Sequence, residues 1–145
     1  FQCHHEITTS LPEYQLLTGA LLLIAKDCYL RSTTQSQSNS ADSYINTVVQ
    51  YVKENYAEKI TIDRLSERFF VSKYHLSHEF SHRVGTSIYR YVIFRRLLQA
   101  RELMSAGEPP GEVYQLCGFG DYANFYRAFK GEYGISPREF VAAMK

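Results

Sequence analysis

From residue 42 onward, apolar residues recur three and four positions apart, and capping or stopping residues punctuate the chain every ten to twenty positions. No stretch alternates with period two long enough to predict a strand. A chain written this way folds as packed helices, so the expected class is all-α. Asp42 or Ser43 can cap a helix whose Ile45, Val48, Val49, Val52 and Tyr56 form one face. Thr61 opens a short helix with Leu65, Phe69 and Phe70, and Ser72 caps another with Leu76 and Phe80, stopped by Gly85. Thr86 opens the longest helix, about 20 residues running to Gly107, with Ile88, Val92, Leu97, Ala100, Leu103 and Met104 inward. Pro109, Pro110 and Gly111 break the chain before a short helix that ends at Gly118. Asp121 caps a helix carrying Phe125 and Phe129, and Gly134 closes it. Ser136-Pro137-Arg138-Glu139 is a capping box with Pro at the first helical position, opening a last helix with Phe140 and Met144.

Ahead of this domain, residues 13–30 read as a separate amphipathic helix. Leu17, Leu21, Ile24 and Cys28 follow 4-3-4 spacing and are the dimerisation candidates, although the same face would suit a preceding domain. Residues 31–41 begin RSTTQSQSNS, without an apolar side chain up to Ser40, and read as a flexible linker to a domain spanning 42–145. The most apolar stretch, Leu16 to Ala25, is about half the ~20 residues of a membrane span, so no membrane partner is expected. Cys3, Cys28 and Cys117 form no close pair, which argues against a disulfide framework and fits a reducing cytoplasm. The chain begins at Phe1 rather than Met and reads as a fragment.

Segments 61–84 and 111–132 share one plan: a short helix, a tight connection, and a longer helix whose first turn is polar. In a helix-turn-helix the second helix lays its N-terminal turns in a major groove. A joining helix of about 20 residues is roughly 30 Å long, close to the ~34 Å between consecutive major grooves on one face of DNA. The text GFGDYANFYRAFKGEYGISPREF, residues 118–140, resembles the C-terminal signature of the AraC/XylS family of bacterial transcription regulators. It shares Gly118-Phe119, Asp121, Phe125, Arg127, Phe129-Lys130, Gly134, Pro137 and Phe140 with that signature. Leu65, Ser72, Leu76, Phe80, Gly85, Tyr91, Arg96-Leu97 and Ala100 match the family's first half. The resemblance implies a seven-helix, double helix-turn-helix domain joined by a long central helix. It also implies that residues 1–30 are the tail of a sensor and dimerisation domain.

Carried onto this chain, the resemblance makes 72–84 and 121–132 the two recognition helices, with double-stranded promoter DNA as partner. With Leu76 and Phe80 inward, Lys73, Tyr74, Ser77 and His78 are the base-facing candidates of the first. With Phe125 and Phe129 inward, Tyr122, Ala123, Asn124 and Arg127 are those of the second, and Tyr126 is a weaker candidate. Arg127 suits a guanine edge or a phosphate, Asn124 suits adenine, and Arg127 could instead pair with Glu132 or Asp121. Ser72, Lys73 and Lys130 are the expected phosphate contacts. Arg96 is read as packing and salt-bridging. The implied partners also include a second copy, through residues 13–30 and the preceding domain, and RNA polymerase; no cofactor and no catalysis are implied.

Two departures bear on the second unit, where Pro110 and Tyr114 stand in place of the family's Ile and small Ala. They are the best support for an alternative reading, a helical interaction module without DNA binding. His78-Glu79-Phe80-Ser81-His82 is an HExxH string, with Glu102 placed as a third ligand, and supports the other alternative, a zinc metallopeptidase. It sits inside a helix that its flanking residues assign to DNA reading, and Phe80 is needed in the core. His75, His78 and His82 share a face there, which suits adventitious metal binding better than catalysis. The net charge is +1, made of −1 over residues 1–40 and +2 over 41–145, so any attraction to DNA acts by placement of charge.

Overall fold

The computed structural model describes residues 40–144, with side chains from Tyr44 onward. The expected helix over 13–30, its dimerisation residues, most of the linker and the Cys3-His4-His5 cluster lie outside the described residues. Seven helices and no strand follow in order among the described residues. They are α1 (Ser40–Asn55), α2 (Ile62–Phe69), α3 (Lys73–Val84), α4 (Ile88–Ser105), α5 (Pro110–Leu116), α6 (Tyr122–Tyr133) and α7 (Pro137–Ala143). The all-α, seven-helix expectation is met.

Most helix ends follow the local chemistry that the sequence announces. The side chains of Thr61, Ser72 and Asp121 each accept a hydrogen bond from a backbone N–H in the first turn that follows. Ser136 and Glu139 complete both halves of the capping box. Gly85 and Gly134 take left-handed conformations at the ends of α3 and α6. The departures are equally local. Helix α1 begins at Ser40, so Asp42 and Ser43 lie within it rather than capping it. Ser87 rather than Thr86 caps α4. Pro110 does not break the chain but opens α5 at its first position, where the missing N–H has no partner to lose.

Phe70 corrects the apolar stripe drawn for α2. It is not on the helix but at its C-cap, in the left-handed region at φ 54°, and its ring is 95% exposed. The tight turn between α2 and α3 forces that backbone, and the ring has nothing to pack on. A side chain here costs about 1–2 kcal/mol relative to glycine, offset by the ~0.5–1 kcal/mol of chain entropy that glycine loses on folding. Phe70→Gly is therefore expected to raise stability by up to about 1 kcal/mol in urea titrations. A lowered midpoint would show that the Phe70 ring is held by contacts.

The helices close around two cores. Ile45, Val48, Val49, Val52, Leu65, Leu76, Phe80 and Val84 form the first with Ile88, Tyr91 and Val92 from the front half of α4. Val113, Cys117, Phe119, Phe125, Phe129 and Tyr133 form the second with Leu97, Ala100 and Met104 from its back half. At 100° per residue, the directions of these two α4 sets differ by about 160°. The residues expected inward on α4 thus lie on two faces, and the units lie on nearly opposite sides of it. Leu103 and Phe140 are only partly buried, and Met144 is exposed beyond the end of α7, because the second core is already filled. Burial holds the Cys117 thiol up at about 11, so it stays protonated and serves as a small apolar group.

Tyr114 is accommodated rather than disruptive. It packs edge-on against Tyr122 with ring centroids 5.8 Å apart, and its hydroxyl accepts a hydrogen bond from Gln115 at the surface. Helix α5 then ends in two nested bonds, Gly118 N–H to the Gln115 carbonyl and Phe119 N–H to the Tyr114 carbonyl, both 2.9 Å.

Candidate nucleic-acid interface

Helix α3 buries Leu76, Phe80 and Val84 against the first core. That fixes its rotation and turns Lys73, Tyr74, Ser77, His78, Ser81 and His82 to solvent. Tyr74 is 81% exposed, and its ring stacks on His78, which in turn stacks on His82, at 6.2 and 6.4 Å. The result is a row of three rings along the outer face, beside the hydroxyls of Ser77 and Ser81. Lys73 forms an ion pair with Asp63 of α2, which holds its ammonium near the N-terminus of α3 and raises its pKa above the usual lysine value. Ser72 is exposed and occupied as the cap of this helix.

Within the HExxH string, His78 and His82 stack on the outer face while Phe80 is buried in the first core. Glu79 is drawn toward Arg83 at 3.4 Å and His78 at 3.5 Å. The sequence places His75 on one face with His78 and His82, but its ring stacks on Tyr44 of α1 at 5.9 Å instead of joining their row. Among the described residues, no three metal-ligating side chains come together.

Helix α6 buries Phe125, Phe129 and Tyr133. Its outer face carries a chain of hydrogen bonds. The carboxylate of Asp121 accepts from Asn124 N–H at 2.7 Å and from Asn124 Nδ2 at 2.5 Å, and the Asn124 side-chain oxygen accepts from Arg127 Nη2 at 2.5 Å. Arg127 thus pairs with Asn124, not with Glu132 or Asp121. The Asn124 carbonyl oxygen and one Nη of Arg127 are committed to each other, leaving the rest of the guanidinium fork as donor. Ala123 is exposed beside them. Tyr122 departs from the expected outward position: it is half-buried between Tyr114 and Phe125, because the aromatic second core extends to the first turn of α6. Tyr126 is also half-buried, and the ammonium of Lys130 lies 5.8 Å from its ring.

The sequence gives Tyr89 no role and leaves that of Arg90 open among the arginines of the long helix. Both are exposed on the first turn of α4, and with Ile93 they form one wall of a groove of about 530 Å³ whose other wall is Asn124, Arg127 and Gly131 of α6. The only signal is the run of four Arg in residues 85–107, which the structure places in different surroundings. Arg90 faces the groove. Arg101 lies 6.0 Å over the Tyr133 ring, and Arg95 has a buried Nε. Arg96 is packed as expected, but its partners are two backbone carbonyls rather than a carboxylate.

Residues 65–143 match the family described as "Helix-turn-helix domain". The chain is 28% identical over 110 residues to the HTH-type transcriptional activator RhaS of Salmonella schwarzengrund, covering 75% of this chain and 40% of that protein. It thus spans less than half the length of this curated relative. Among solved structures, the DNA-binding domain of AdpA, a global transcriptional factor in complex with a target DNA, superimposes with a TM-score of 0.65 at 26% identity, over 68% of this chain and 90% of that one. The C-terminal domain of AraT, a response regulator from Geobacillus stearothermophilus, superimposes with a TM-score of 0.67 at 23% identity, over 74% and 88% of the two chains.

Proposed function

The chain belongs to the AraC/XylS family of helix-turn-helix transcription regulators, and from that premise we propose that it reads operator DNA with α3 and α6 in consecutive major grooves. The observation that supports this reading best is the pair of polar outer rows, each on the opening turns of a side-chain-capped helix. An 18-residue α4, about 27 Å long, joins the two units. Tyr74, Ser77 and His78 would meet bases in one groove, and Ala123, Asn124 and Arg127 in the other, with Tyr122 supporting that helix from behind. Ser72, Lys73, Lys130 and Arg90 would take phosphates. Lys73 exchanges Asp63 for a phosphate oxygen when it does so.

The weak net charge argues for two copies acting together, paired through residues 13–30 and a preceding domain that responds to an effector. Cytoplasmic location and contact with RNA polymerase belong to the same reading. Among the described residues, no helix is long and apolar enough to cross a membrane.

The test uses duplexes enriched by this chain from a random-sequence pool. Arg127→Ala is expected to weaken binding to the enriched duplex by about 1–3 kcal/mol and to relax preference at one base pair. Failure to enrich any motif would overturn the reading, and unchanged affinity would remove Arg127 from the base-contacting set.

A further inference from the structure

The two units are held to each other by more than the helix they share. Their buried cores have no residue in common, and the α4 side chains that feed them point in opposite directions. Arg96 lies on α4 between these faces. Its Nε donates to the Tyr56 carbonyl at 2.7 Å and its Nη2 to the Glu58 carbonyl at 2.8 Å, both in the turn that leaves α1 in the first unit. Its guanidinium also lies 5.8 Å from the ring of Phe119 in the second unit. Between those carbonyls, Ala57 meets Gly118 so closely that a β-carbon on Gly118 would lie 2.3 Å from the Ala57 oxygen. One side chain thus grips the end of α1 and covers the corner between α5 and α6.

We propose that Arg96 is a positioning residue for DNA reading, which fixes the distance and angle between α3 and α6 and so selects the spacing of the two half-sites. The proposal rests on the DNA-reading function above. Two bonds from one planar fork constrain rotation as well as distance, which a single ammonium cannot do. The constraint bears on recognition because one added base pair moves the second half-site by about 3.4 Å along the helix axis and turns it by about 35°. A rigid junction excludes that shift, whereas a loose one follows it.

Two measurements on Arg96→Gln and Arg96→Lys decide the matter, with unchanged far-UV circular dichroism establishing that the variants are folded. The first is the distance between nitroxides on Ser77→Cys and Ala123→Cys, with Cys3 and Cys28 replaced by Ser and Cys117 left in the core. The parent should give one narrow distribution, Arg96→Gln a broad one, and Arg96→Lys an intermediate one. An unbroadened distribution in both variants would overturn the proposal. The second is enrichment from a random-sequence duplex pool by parent and variants in parallel. The parent should enrich two half-sites at one spacing, and Arg96→Gln the same half-sites spread over that spacing and its neighbours. A single unchanged spacing would also overturn the proposal. If the parent enriches nothing, it is the DNA-reading function that fails, and the distance measurement still decides the role of Arg96. If Arg96→Gln fails to fold, Arg96→Lys carries both measurements.

Discussion

Phe129→Ala is expected to lower stability by about 3–5 kcal/mol, a large part of the ~5–15 kcal/mol that holds a typical domain together. Phe129 is fully buried and lies within 5.7 Å, ring to ring, of Phe125, Tyr133 and Phe140. Removing the ring opens a cavity at the point where α6 meets α7, and neighbouring aromatic side chains cannot collapse to fill it without leaving their own contacts. Because the two cores share no residue, the loss should fall unevenly. Amide hydrogen exchange should show α5, α6 and α7 losing protection while α1, α2 and α3 retain most of theirs. An equal loss across both units would mean that α4 and the Arg96 junction unfold them as one.

Gly118→Ala should be nearly as severe, at about 2–5 kcal/mol. Gly118 sits at φ 81°, where a side chain costs about 1–2 kcal/mol on backbone grounds alone. The new methyl group would also meet the carbonyl, carbonyl carbon and α-carbon of Ala57, all backbone atoms that cannot rotate away. Forcing that turn aside adds overpacking of about 1–3 kcal/mol. Gly131→Ala is the matched control. It lies within α6, its β-carbon would meet nothing within 4 Å, and the change should stabilise the helix by about 0.5–1 kcal/mol. Chemical denaturation of the two variants side by side checks both signs. A Gly118→Ala protein as stable as its parent would mean that the 56–58 turn yields freely, which would weaken the case for a rigid junction.

How far the site could be read from the sequence depended on the range of the interactions that form it. Leu76 with Phe80, and Phe125 with Phe129, are four residues apart, so the rotations of α3 and α6 and the identities of their outward residues follow from helical period alone. Tyr122, three residues before Phe125, falls on that same inward face by period, and Tyr114 from α5 packs on it, so the outward expectation for it fails on spacing as well as on packing. Where a neighbouring helix intervenes, the rule itself breaks down. Arg127 has acceptors available at several positions along its helix, and only the side-chain geometry of Asp121 and Asn124 selects the partner. His75 falls on the histidine row by spacing, and Tyr44 of α1 draws it off.

The sequence by itself determined the class, the number and order of the helices, most of their ends and the faces that α3 and α6 bury. Caps, stops and apolar stripes are interactions between residues three or four apart, and they are written in adjacent letters. Tertiary structure alone decided which core each inward residue of α4 feeds, on two faces about 160° apart. It also decided that Phe70 is exposed in a strained turn and that Tyr89 and Arg90 share a groove with Arg127. Most of all, it decided the use of Arg96, whose carbonyl partners lie 40 and 38 residues away. No local pattern specifies such a pairing, because its geometry exists only once both cores have closed and brought the end of α1 against Gly118.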